Sequence, residues 1–114
     1  MADTIFGKIF TREIPAEIVY EDDDVLAFRD VAAQAPTHIL IVPKKPLASL
    51  LDAAESDAPL MGKLLLASVH VARTLGIAED GFRVVINVGK DGGQTVNHLH
   101  LHLLGGRHLT WPPG

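Results

Sequence analysis

The chain has 114 residues, of which 47% are apolar, with a formal net charge of −4 and no cysteine. That length and apolar content suit one domain spanning residues 1–114 around a buried core, and exclude a disordered segment. The acidic balance argues against a nucleic-acid polymer as partner, which needs a basic surface, and the lack of cysteine excludes disulfides and thiolate metal sites.

The start, Met1-Ala2-Asp3-Thr4, has no charged stretch leading into an apolar one, and no apolar run nears the roughly 18 residues of a membrane span. A cytoplasmic location without membrane contact is expected. Asp3 or Thr4 is placed to cap a short helix through Phe6, Ile9 and Phe10, which Ile14-Pro15 should stop. Ile18-Val19-Tyr20 and Val25-Leu26-Ala27-Phe28 read as strands around the turn-like Glu21-Asp22-Asp23-Asp24, and His38-Ile39-Leu40-Ile41-Val42 as a third strand ending at Pro43. Residues 47–52 suit one helical turn. From Ser56 or Asp57 the apolar residues Leu60, Leu64, Leu65, Ala72 and Leu75 fall at helical spacing, so the main helix is expected over 57–75, stopped by Gly76. Residues 82–88 return to strand character, a glycine-rich loop covers 89–94, and a last strand is expected over 95–104. Strands that follow one another in sequence favour an α+β fold, an antiparallel five-stranded sheet with its helices on one side.

The segment Asn97-His98-Leu99-His100-Leu101-His102-Leu103-Leu104 carries the chemistry. In a strand the side chains alternate, so the leucines share the core face and the three imidazoles share the other, where burial without partners is costly. Two chemistries use such a row. Imidazole binds metal, but His98 and His102 would lie about 13 Å apart on one strand, so His38 is the more accessible third ligand. Unprotonated imidazole also attacks phosphorus, while a neighbouring N–H holds phosphoryl oxygens. Gly89-Lys90-Asp91-Gly92-Gly93-Gln94 just upstream could present backbone donors to a phosphate, although a hairpin turn accounts for it equally well.

His98-Leu99-His100-Leu101-His102-Leu103-Leu104 resembles the signature of the histidine triad family, three histidines alternating with apolar residues. The resemblance runs through Thr4-Ile5-Phe6-Gly7-Lys8-Ile9, Leu26-Ala27-Phe28-Arg29-Asp30, Gln34-Ala35-Pro36-Thr37-His38, Val42-Pro43-Lys44-Lys45, Asn87 with Gly92-Gly93-Gln94-Thr95, and Gly105-Gly106-Arg107 to Trp111-Pro112-Pro113-Gly114. This set is most similar to the nucleotide-binding branch, the purine nucleoside phosphoramidases. The resemblance implies a nucleophile at His100, with no cofactor or metal. It implies phosphoryl contacts from His102, Gly93 and Gln94, a phosphate or ribose contact from Asn87, a Thr95 hydroxyl on the bridging or leaving atom, and a ribose contact from Asp30. His98 and His38 would support the site. Ile5, Phe6, Ile9, Phe28 and Val31 would either sandwich a purine base or belong to the ordinary core. It also implies a homodimer with one continuous sheet. Dinucleoside polyphosphate hydrolysis and a non-catalytic nucleotide- or metal-binding module are the competing readings. His70, on a helical stripe with Lys63 and Thr74, reads as surface, and His108 is given no role.

Overall fold

A computed structural model describes residues 4–114. Asp3, one of the two expected caps, lies outside them. Thr4 caps helix α1 (Ile5–Phe10), its hydroxyl accepting from the Gly7 N–H. The helix stops well before Ile14-Pro15. Arg12 turns into the left-handed region at φ 65°, and the N–H groups of Glu13 and Ile14 both return to the Lys8 carbonyl. Arg12 then reaches Glu21 at 2.7 Å and ties the end of α1 to the first strand.

Strands β1 (Ile18–Glu21) and β2 (Val25–Arg29) form a hairpin. Its turn is held by the Asp22 carboxylate, which accepts from the N–H groups of Asp24 and Val25. Strand β3 (Thr37–Pro43) follows, then two single 3-10 turns at Leu50–Asp52 and Glu55–Asp57, helix α2 (Ala58–Thr74), and strands β4 (Phe82–Val85) and β5 (Leu101–Gly105). The strands form one fully antiparallel sheet in the order β1-β2-β3-β5-β4, so β3 and β5 pair although some sixty residues separate them. No helix among the described residues is long and apolar enough to cross a membrane.

The α+β expectation holds, with two corrections. The helices do not share one side. Helix α2 covers the face bearing Val25, Ala27, Ile39, Ile41, Leu101 and Leu103. The other face, with Leu26, Phe28, Leu40 and Val42, is covered by Phe6 and Ile9 of α1. That is why β2 and β3 read as unbroken apolar runs rather than alternating ones. The second correction concerns the last two strands, which are shorter than expected. β4 ends at Val85 rather than at 88, and β5 begins at Leu101 rather than at 95. The intervening chain folds back on itself at Gly92, where a Cβ atom would lie 2.3 Å from the Val88 carbonyl oxygen, so no side chain fits.

Three consecutive leucines on α2 separate core from surface. Leu64 is buried, whereas Leu65 and Leu66 are 49% and 69% exposed, so Leu65 is not part of the core stripe. Leu64→Ala should lower the unfolding free energy by about 2–5 kcal/mol in urea melts.

Candidate active site

Of the three triad histidines, only His102 lies in the β5 ladder. The alternation of faces nevertheless persists upstream, because Leu99 is pinned. Its N–H donates to the Leu47 carbonyl at 2.7 Å, and its side chain is buried in the α2 core with Leu101 and Leu103. The odd-numbered leucines thus go to one face and the imidazoles to the other. There His102 sits opposite Leu40 and faces α1.

His98 and His100 are buried, and backbone groups satisfy them. His98 donates from Nε2 to the Pro43 carbonyl at 2.9 Å, and His100 donates from Nδ1 to the His98 carbonyl at 2.7 Å. A carbonyl only accepts, so the neutral His100 ring keeps its proton on Nδ1 and leaves Nε2 bare. Phe6 packs in T-shaped contact with both rings, with centroids 5.0 Å from His100 and 5.9 Å from His98, and Phe10 packs on His98 from the same helix.

A second chain of bonds sets the tautomers of His38 and His102. The Gln34 N–H, which can only donate, points at His38 Nδ1 at 3.0 Å. The proton of neutral His38 is therefore on Nε2, which lies 2.9 Å from His102 Nδ1. His102 accepts there, so its own proton is on Nε2. His38, expected to back up the catalytic ring, backs His102 instead. Burial pushes the pKa values of His38 and His98 below the ordinary value, with Asp30 opposing the shift at His38 and the Pro43 hydrogen bond opposing it at His98. His102 falls to about 4, first through burial and then through its proximity to His100 and His38.

A cavity of about 390 Å³ opens between α1 and the sheet. Its apolar walls include all five residues expected to sandwich a base, namely Ile5, Phe6 and Ile9 of α1, Phe28 of β2, and Val31 on the rim. Asp30, Thr95, His100 and His102 supply the polar part. Asp30 accepts the Ala32 N–H through Oδ1, and its Oδ2 lies 3.4 Å from His38 Nε2.

Five expected site residues are not on the cavity wall, His38 among them, since it stands behind His102. His98 lies behind the wall as a strut. Asn87 sits half-buried beyond the end of β4. The N–H groups of Gly93 and Gln94 close turns onto the Lys90 and Gly89 carbonyls, and the Gln94 side chain spans Gly89, Ala48 and Val96. The N–H groups of Gly89, Gly93 and Gln94 are therefore engaged within the loop. Sequence reasoning missed Ile14, Pro15, Ala16, Arg29, Ala32, Leu40 and Val96, which complete the lining. Leu40 had a signal, since it lies two residues from His38 on the same strand face. Residues 14–16 had none, because they reach the cavity only through the turn at Arg12.

Asp30, His38 and His102 each offer an atom within 4.8 Å of the others, a spacing that suits a metal ion. The hydrogen bonds suit one poorly. A ligating imidazole normally donates its second N–H to an acceptor, whereas the second nitrogen of His38 faces a donor, which keeps the metal-facing nitrogen protonated.

Residues 11–109 match the HIT domain family. The chain is 63% identical to an uncharacterised HIT-like protein of Synechococcus elongatus, over 98% of this chain and 97% of that one. It is 52% identical to a 14 kDa zinc-binding protein of Brassica juncea, over 98% and 100% of the two chains. Its structure superposes on that of a HIT family hydrolase from Legionella pneumophila with a TM-score of 0.96, at 50% identity, covering 98% of this chain and all of the other. With the fold, the alternating histidines and these likenesses in agreement, this chain belongs to the HIT domain family.

Proposed function

We propose that this chain hydrolyses purine nucleoside 5′-phosphoramidates to the nucleoside monophosphate and an amine. The observation that carries this reading is the bare Nε2 of His100. That ring is fixed by its Nδ1 bond to the His98 carbonyl and stands at the wall of a cavity with apolar sides and a carboxylate on its rim. A held, neutral ring beside a bound substrate is a nucleophile without the entropic cost of being oriented during the reaction.

The base inserts between α1 and Phe28, and Asp30 accepts from the ribose hydroxyls. His100 Nε2 attacks phosphorus as the P–N bond breaks, and the leaving nitrogen takes a proton from solvent, relayed by the exposed Thr95 hydroxyl; the attacking water of the second step gives a proton back to solvent. The Nε2–H of His102 stabilises charge on the phosphoryl oxygens. Water then attacks the nucleotidyl-histidine, the P–Nε2 bond breaks, and the hydroxyl stays on phosphorus. One water is consumed per turnover. A metal is not needed, and the tautomer of His38 makes the zinc suggested by the Brassica relative the weaker reading.

The same reading includes a homodimer joined through β4, a terminal strand of the sheet. Next to it, Leu50 and Leu65 flank an apolar recess of about 130 Å³ that reaches Ile86, just past β4. Leu65→Glu should halve the mass seen in sedimentation; a wild type that already sediments as a monomer removes the dimer from the proposal.

His100→Ala should reduce phosphoramidate turnover on the order of 10⁴-fold or more while purine monophosphate binding persists. Mass spectrometry of the quenched wild-type enzyme should find one nucleotide on His100. Residual turnover near the wild-type rate, or faster cleavage of a dinucleoside polyphosphate than of the phosphoramidate, overturns the assignment.

His38, His98 and His102 all have lower pKa values folded than the 6.5 of a free imidazole, so the unfolded chain binds more protons below that pH. Their contribution to stability is complete above pH 6.5 and is lost as the pH falls toward about 4, where His102 titrates. Urea midpoints measured from pH 7.5 to 4 should fall across that window, and His102→Asn should flatten the lower part.

A further inference from the structure

Arg107 lies outside the cavity lining, on the tail that follows β5. Its guanidinium donates to the Gln34 carbonyl at 3.0 Å and to the His108 carbonyl at 3.1 Å. Gln34 in turn donates its N–H to His38, and His38 donates to His102. Three consecutive hydrogen bonds therefore run from an exposed arginine to the imidazole whose Nε2–H serves the cavity. We infer that Arg107 is a positioning residue, which fixes the proton of His102 on Nε2 by gripping the Gln34 carbonyl and so holding that residue with its N–H, on the other side of Cα, against His38.

The loop that carries Gln34 needs such a clamp. Residues 31–34 are exposed, and the loop's own bonds are local, from the Ala32 N–H to Asp30 and from the Gln34 amide to the Ala32 carbonyl. Among the described residues, Arg107 makes the one hydrogen bond that reaches residues 31–36 from a distant part of the chain. The approach is close. Gly106 has φ 88°, and a Cβ atom there would lie 2.9 Å from Pro36 Cβ, so glycine lets the tail close on the loop and bring Arg107 to Gln34.

The chemistry at the far end depends on direction. A neutral imidazole has one proton and two nitrogens, and the energy difference between its tautomers is small enough for one hydrogen bond to decide. With the Gln34 N–H on Nδ1, His38 must donate from Nε2 and His102 must accept on Nδ1. If that N–H withdraws, the His38 proton is free to move to Nδ1. The His38–His102 bond then reverses, with His102 donating from Nδ1 and presenting a bare Nε2 to the phosphoryl oxygens. A hydrogen-bond donor in the cavity becomes a lone pair that repels charge.

Nitrogen-15 NMR of the imidazoles in the ligand-free protein at pH 7.5 reads this directly, because protonated and bare ring nitrogens resonate far apart. In the wild type, His38 and His102 should both show a bare Nδ1 and a protonated Nε2. Arg107→Ala should average or reverse both patterns, and Arg107→Lys, which keeps one cationic donor, should retain them. Gln34→Pro deletes the N–H itself and should reproduce the alanine result with Arg107 intact. Arg83→Ala is the control, since Arg83 holds the tail carbonyls of Leu109 and Thr110 without touching residues 31–36. It should leave both tautomers unchanged. Unaltered nitrogen signals in Arg107→Ala and Gln34→Pro, or the same alteration in Arg83→Ala, overturn the inference. A kinetic arm rests on the phosphoramidase reading. There Arg107→Ala should lower kcat roughly ten- to a hundredfold, with a smaller effect on KM. A wild type inactive on phosphoramidates defeats that reading and leaves the NMR result to stand or fall by itself.

Discussion

The site depends on the fixed polarity of the peptide group. Imidazole can donate or accept at either nitrogen, and three of the four rings near the cavity are assigned a direction by a backbone neighbour that can play only one part. The carbonyls of Pro43 and His98 make donors of His98 Nε2 and His100 Nδ1, and the Gln34 N–H makes an acceptor of His38 Nδ1. His102 inherits its direction from His38. Side chains alone would leave four interchangeable rings, whereas backbone groups held by the sheet turn them into one bare nitrogen and one N–H beside a shared cavity.

The fold supplies those backbone groups from distant parts of the chain. The Pro43 carbonyl comes from the end of β3, and Gln34 from the loop that opens it, so the strand pairing between β3 and β5 brings both to the histidine segment. Burial then removes water as a competing partner and lowers the pKa values, which keeps His38, His98 and His102 neutral near pH 7. The same burial would be costly if any ring nitrogen were orphaned, and no buried side-chain nitrogen or oxygen among the described residues lacks a partner. Helix α1 closes the arrangement. Six residues would not hold a helix in water, yet Phe6 and Ile9 fix this one to the sheet and Arg12 ties its end to Glu21.

Side-chain periodicity carried much of this in the sequence, and backbone hydrogen bonding carried almost none of the rest. The leucine–histidine alternation predicted the correct faces even though the ladder starts only at Leu101, because Leu99 is anchored through Leu47 instead of a neighbouring strand. The apolar residues of α1 and Phe28 were legible as wall candidates through their pattern. The glycine-rich loop stayed open between two readings, since glycines that present N–H groups to a phosphate look the same in sequence as glycines that turn the chain back on Val88. Leu65 misled for a related reason, because helical spacing marks a stripe without marking its edge. Gln34 and Arg107 had no signal, as what matters at Gln34 is a peptide N–H that every residue except proline has.

That single N–H also decides between two uses of one cluster. Asp30, His38 and His102 converge as metal ligands do, and a carbonyl placed where the Gln34 N–H stands would draw the proton of His38 to Nδ1 and free Nε2 for an ion. With a donor there, the proton stays on His38 Nε2 between the two rings, beside the Asp30 carboxylate. The orientation of one peptide in an exposed loop thus separates a metal site from a proton-ordered one built of the same side chains. The choice of chemistry then lies outside the triad, in whatever holds that peptide in place.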